Sequence, residues 1–268
     1  MRHSCLSSVI CLLFFAAVPV ITAGQTHYQL GFGTTNILDT YLSQEKFSGV
    51  GLSLLSTNER FRDSCRWSLQ WQHQLHASTA DDRADNSSLM EGMYKFYFGG
   101  YYQLFNGGKG AGEATPQLYV GVLGNVGIGM IYNTRNGNNP VQARLGMHIM
   151  PSAKATYALR LFHHPAKLRY QLDLPLAGLV FSPNYGQSYY EIFSEGHPDH
   201  NVCFTHPFNA FSSRHLLTLD IPFRRNTLRV GYLADIRQSH VNSLKYHSYS
   251  HAFLIGWVRH LQYISPRR

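Results

Sequence analysis

Residues 67–77 read Trp67-Ser68-Leu69-Gln70-Trp71-Gln72-His73-Gln74-Leu75-His76-Ala77. Trp67, Leu69, Trp71, Leu75 and Ala77 fall on one face of an extended chain, and Ser68, Gln70, Gln72, Gln74 and His76 fall on the other. This period-2 alternation is long enough to cross a bilayer as a tilted strand. A face of glutamines builds no dry core, so it points to water or to other polar groups. A tryptophan-rich face opposite it suits hydrocarbon, as in the wall of a membrane barrel.

The same alternation recurs along the chain and predicts about twelve strands. The first three carry Tyr28, Leu30 and Phe32; Val50, Leu52 and Leu54; and the Trp67 stretch. Tyr94 to Phe105 and Leu118 to Tyr132 follow, the former with a bend at Gly99-Gly100. Val141–Ile149 and Ala155–Leu161 read as two strands, and Leu168–Leu176 as an eighth weakened by Pro175. Tyr189–Phe193 reads as a short ninth, and strands at Leu217–Phe223, Leu228–Ile236 and Tyr249–Trp257 complete the set. Short links are expected at Met150-Pro151-Ser152 and Arg225-Asn226. Long polar links are expected at Ser78–Leu89, Glu195–Ser213 and Gln238–Tyr246. With the first strand starting in the periplasm, the short links fall inside and the long ones outside. The Arg225-Asn226 turn would place Ile221 opposite Val230 and Asp220 diagonal to Arg229 on the inner face.

The N-terminus reads as a secretory signal over residues 1–24. It has Arg2, an apolar run from Val9 to Ile21 and small residues at Thr22-Ala23-Gly24. That leaves residues 25–268 as a single β-barrel domain. Its removal takes one basic residue and no acid from a formal charge of +8, so the mature chain stays basic. For a secreted chain this favours anionic headgroups or solutes over nucleic acid. An aromatic content of 13% suits girdles at two membrane surfaces. Cys5 and Cys11 leave with the signal. Cys65 and Cys203 remain, and the sequence does not show whether they meet.

No catalytic, cofactor-binding or metal-binding set is assigned. Fifteen histidines include no structural-zinc spacing. The Asp81-Asp82-Arg83-Ala84-Asp85 loop lacks the glycine and closing glutamate of an EF-hand. Ser188, Glu191, His215 and His251 are the raw material of a hydrolase, but no G-x-S-x-G occurs. The inward charges Lys95, Arg144, Arg160, Arg169, Asp173, Glu191, Asp220, Arg229, Asp235 and Arg237 form the candidate lumen lining. Such a set either plugs a barrel as a salt-bridged network or lines a small pore.

Four stretches stand apart from the alternating background: Asn36–Ser43, Ser182–Phe193, Leu172–Leu176 and Phe253–Trp257. Through them the chain resembles an uncharacterised family of diderm bacteria, domain-of-unknown-function family 3316, over nearly all of the mature chain. The resemblance implies a secreted outer-membrane barrel and supplies no active site. The last ten residues, Arg259–Arg268, depart from a barrel ending in a terminal aromatic.

The expectation is therefore an all-β, antiparallel transmembrane β-barrel of about twelve strands, within a range of ten to fourteen, in the outer membrane. Its expected role is a small pore or plugged structural barrel for polar or anionic solutes, with membrane lipid as its partner. A barrel enzyme acting on lipid and a soluble periplasmic ligand-binding barrel are the alternatives.

Overall fold

The computed structural model describes residues 23–61, 66–107, 115–137, 139–161, 164–223 and 226–262. The expected signal segment therefore lies outside the described residues, apart from Ala23 and Gly24, which open the first strand. Cys65 lies outside them as well. The strands are β1 (Ala23–Asp39), β2 (Phe47–Phe61), β3 (Trp67–Asp81), β4 (Ser88–Asn106), β5 (Thr115–Asn133), β6 (Val141–Leu161), β7 (His164–Asp173), β8 (Ala177–Phe181), β9 (Val202–Thr205), β10 (Ser213–Phe223), β11 (Asn226–Val241) and β12 (Leu244–Gln262); a short helix α1 (Tyr189–Phe193) precedes β9.

Ten of these strands close into an antiparallel barrel. The order β5-β4-β3-β2-β1-β12-β11-β10-β7-β6 returns to β5 through a β5–β6 ladder. The two others, β8 and β9, extend the sheet beside the first half of β6. Closure removes the open edges that lipid could not satisfy. Inside and outside follow the alternation. On β3, Ser68, Gln70, Gln72, Gln74 and His76 are buried inward, while Trp67 and Leu75 are exposed outward. On β1, Gln29 and His27 are buried, whereas Leu30 and Phe32 are exposed.

Three histidines on the outer face are bonded to tyrosines. His73 bonds Tyr94 at 2.8 Å, His215 bonds Tyr170 at 2.8 Å and His251 bonds Tyr232 at 2.7 Å. Each pair lies on a diagonal between adjacent strands. Polar groups facing hydrocarbon need such partners.

Several sequence expectations change. Val141–Ile149 and Ala155–Leu161 are one strand, β6. Pro151 sits within that strand, and its carbonyl accepts from the Leu174 N–H at 3.0 Å. Tyr189–Phe193 is a helix. Ser188 and Glu191 form a capping box, in which the Ser188 hydroxyl accepts from the Glu191 N–H and the Glu191 carboxylate accepts from the Ser188 N–H. The long link expected over Gln238–Tyr246 is a two-residue turn. Asn242 (φ 51°) and Ser243 (φ 60°) both take the left-handed conformation that matches strand twist in a type I′ hairpin. The β3–β4 link spans only 82–87, closed by Asp82 Oδ1, which accepts from the Ala84 and Asn86 N–H groups. At the expected Arg225-Asn226 turn the connecting residues are 224–225, outside the described set. Ile221 therefore faces Leu228, and Asp220 lies directly opposite Arg229. The shift from the expected register is two residues, which leaves every side chain on its face.

Links 40–46, 82–87, 134–140, 182–201 and 242–243 share one end of the barrel, called here the loop end. Ala23 and Gln262 pair at the opposite end.

Candidate functional site

The barrel interior holds an apolar cluster of Leu55, Leu216, Leu233, Ala252 and Leu254 together with many charged side chains, and those charges bond across it. In the half nearer the termini, Glu59 accepts from Lys154 Nζ at 2.6 Å and from Arg169 Nη1 at 2.8 Å. Lys154 also donates to Gln70 Oε1 at 2.6 Å. Arg229 holds Asp220 by two bonds, at 2.5 and 2.7 Å. Nearer the loop end, Lys95 and Gln74 both donate to Asp235 Oδ2, at 2.6 and 3.0 Å. Arg214 donates to Asp173 at 2.8 Å and to Gln74 Oε1 at 3.1 Å. Arg237 donates to Glu91 at 2.9 Å. Arg144 lies 3.3 Å from Asp39 and stacks on the Tyr246 ring.

Most of these bonds join strands that are not neighbours in the sheet. They link β2, β3 and β4 to β6, β7, β10 and β11, so they span the lumen. Each of these charges has an opposite charge beside it, which is what burial demands.

The loop end is closed by apolar side chains. Ile37, Phe47, Ala80, Leu89 and Ile131 form a buried cluster completed by Leu42 from the β1–β2 link. The Leu42 carbonyl accepts from Asn133 and Asn136, which fixes the link inward. The 182–201 segment lies over the same rim. Tyr41 OH donates to the Gln187 carbonyl, and Tyr189 OH donates to Gln142 on β6.

Beneath this seal lies a cavity of about 130 Å³. Met93, Tyr97, His148, Met150, Arg214 and Arg237 contribute to its wall from the barrel interior. Pro175, Ala210 and Ser212 contribute from a place where the wall itself is broken.

Of the sequence-predicted lining, Lys95, Arg144, Arg169, Asp173, Asp220, Arg229, Asp235 and Arg237 face the interior in these pairings. Arg160 keeps the inward parity of β6 but lies exposed near the terminal end. Glu191 is corrected: it belongs to α1 in the loop-end segment, where it is half-buried, and bonds from Ser188 hold its carboxyl below the usual range. The hydrolase set is not assembled. Ser188 and Glu191 cap α1, while His215 and His251 face outward against tyrosines.

Sequence reading missed Asp39, Glu59, Glu91, Lys154, Lys167 and Arg214. Glu59 and Arg214 lie on strands that run beyond the last apolar residue of the pattern, and Lys154 follows a proline read as a link. Parity alone, extended through those polar ends, places each of them inward.

A family model described as "Protein of unknown function (DUF3316)" matches residues 18–268. The chain belongs to this family. A comparison with curated proteins finds no match. Among solved structures, DUF3316's member here is similar to the outer-membrane protease OmpT of Escherichia coli, at 8% identity and a TM-score of 0.48, over 90% of this chain and 98% of that one. It is also similar to the transport unit of the E. coli autotransporter AIDA-I, at 5% identity and a TM-score of 0.48, over 93% and 92%. An outer-membrane channel of Pseudomonas putida F1 matches at 10% identity and a TM-score of 0.37, over 91% and 97%.

Proposed function

We propose that this DUF3316 chain is an outer-membrane barrel with an occluded lumen, exported by its apolar N-terminal segment and inserted with the loop end outward. The apolar outer face and the buried, mutually bonded charges of the interior support the membrane location. The observation that carries occlusion is the set of bonds from Glu59, Gln74 and Asp235 to strands on the far side of the barrel. A diffusion pore for polar solutes needs a wet path along its axis. Here that path meets paired charges first and the Leu42 seal second.

Planar-bilayer recording on the purified protein tests this reading. No steady single-channel current is expected from the native chain, and a stable ohmic conductance overturns the proposal. Replacing Glu59 and Lys154 together by alanine removes a bridge across the lumen, leaves Arg169 without its acceptor, and is expected to raise leak. Membrane fractionation with a heat-modifiable gel shift tests the location. Extraction without detergent would point to a soluble ligand-binding barrel instead.

A further inference from the structure

We infer that the cavity near the loop end binds the carboxylate of a single-chain amphiphile, which enters sideways through a break in the barrel wall. The break lies between two ladders. Asp173 of β7 pairs with Arg214 of β10, and the next pairing upward is Gly178 of β8 with Thr205 of β9. Between them, residues 174–177 face the longer stretch 206–213 without forming a strand pair. Against β6, Asp173 pairs with Ser152 and Ala177 with Ile149, so the first chain carries one extra residue and bulges. Leu174 and Leu176 point their N–H groups at the Pro151 and Ile149 carbonyls of β6. Position 175 therefore faces the gap, and it holds proline, the residue with no N–H to satisfy there.

The surroundings of the break are compatible with lipid. Leu174, Leu176 and Phe211 are exposed beside it. The 206–212 segment is irregular but bonded within itself. The His206 N–H donates to Asn209 Oδ1, the Asn209 and Ala210 N–H groups donate to the His206 carbonyl, and the Phe208 N–H donates to the His206 ring. Irregular backbone tolerates hydrocarbon only when its polar groups are met in this way. The cavity reaches the outer face at this place, since its lining includes Ile236 and Gln238. Both stand on the outward parity of β11, and Gln238 accepts there from the outward-facing Tyr249.

The inner end asks for an anion. Arg214 is 2% exposed, and its Nη2 has no hydrogen-bond partner. The Arg237 Nε on the same wall makes no hydrogen bond either, with Asp235 Oδ1 4.0 Å from it. Guanidinium donors left over after their own ion pairs suit a planar carboxylate. The rest of the cavity wall includes the apolar Met93, Met150 and Val180. A dry cavity of roughly 150 Å³ holds a molecule the size of benzene. The space here therefore takes a carboxylate and its first methylenes, and the rest of one chain lies in the break and the bilayer.

The test uses the full-length barrel in lipid nanodiscs, with laurate labelled with ¹³C at the carboxyl, and follows its chemical shift on titration. One saturable site per barrel is expected, bound at least ten-fold more weakly in Arg214→Met. Gly127→Leu provides a second arm that leaves the charges alone. A Cβ at Gly127 would meet nothing closer than 3.8 Å, so a leucine there fills the cavity without a clash at its root. It too is expected to weaken laurate at least ten-fold while keeping heat-modifiable mobility. Dodecanol, which lacks the charge, and butyrate, which lacks the chain, are expected not to displace laurate. Native-like binding in Gly127→Leu, or displacement by either competitor at the concentration of laurate, overturns the inference. A conducting barrel that still binds laurate would sink the occluded reading and leave this one standing.

Discussion

The arc from β1 to β6 and the arc from β7 to β10 are made differently. In the first, β1 to β5 pair with both neighbours over nearly their whole length, with one irregularity between Gln103 and Phe105, and side chains alternate between inside and outside. In the second, the two chain segments between β6 and β11 each stop and restart: β7 gives way to β8 at Pro175, and β9 gives way to β10 over residues 206–212. The unbroken arc supplies Gln74, Lys95 and Glu59, which reach across the lumen and brace it. Their partners are Lys154 on β6, Arg169 on β7, Arg214 on β10 and Asp235 on β11, and the broken arc holds the only interruption of the wall among the described residues. The bridges thus brace the cylinder from wall to wall, while access lies at one seam of it.

Variants sharpen that contrast, taken from the largest expected effect downward. Glu59→Leu leaves Lys154 and Arg169 buried without their acceptor and is expected to cost about 3–5 kcal/mol, read as a lower midpoint of urea unfolding in detergent. Ile255→Arg on the lipid face of β12 is expected to cost about 2–4 kcal/mol. The same arginine at Phe208, in the irregular segment at the broken arc, is expected to cost ~1 kcal/mol or less, as found for such residues near a membrane interface. Equal losses at the two positions would show that the 206–212 segment is buried in the apolar band as firmly as a strand. Ser243→Gly removes the left-handed penalty in the β11–β12 turn and is expected to stabilise by about 1 kcal/mol. Pro175→Ala is expected to change stability least, by under ~1 kcal/mol, because the N–H it restores faces the gap. A clear gain would mean that a carbonyl across the break can take that bond, and that the wall closes.

The sequence made the closed polar-in barrel legible because alternation is a property of single strands. Wherever apolar residues kept their parity, as from Leu118 to Tyr132, the element and its faces were readable. What failed were the places where a signal for one structure served another. Pro151 looked like a link and sits mid-strand. Asn242-Ser243 turns the chain as tightly as a glycine-bearing hairpin but carries no glycine. Tyr189–Phe193 is too short to separate a helical from an extended pattern by apolar spacing, and the Ser188/Glu191 capping pair was the better signal. For the site, parity found most of the inward charges and misplaced Glu191. It could not show that Arg214 meets Asp173, or that Glu59 meets Lys154 on the far wall, because those contacts depend on barrel closure and stagger rather than on local pattern.

The tyrosine–histidine diagonals on the outer face have a consequence for assembly. A strand that slides by two residues keeps its oily side outward, so hydrophobicity alone does not reject the mistake. It would, however, part His73 from Tyr94, His215 from Tyr170 or His251 from Tyr232, and strand an imidazole and a phenol in hydrocarbon. Each couple therefore acts as a proofreading latch on one seam, locking only when neighbouring strands arrive in step.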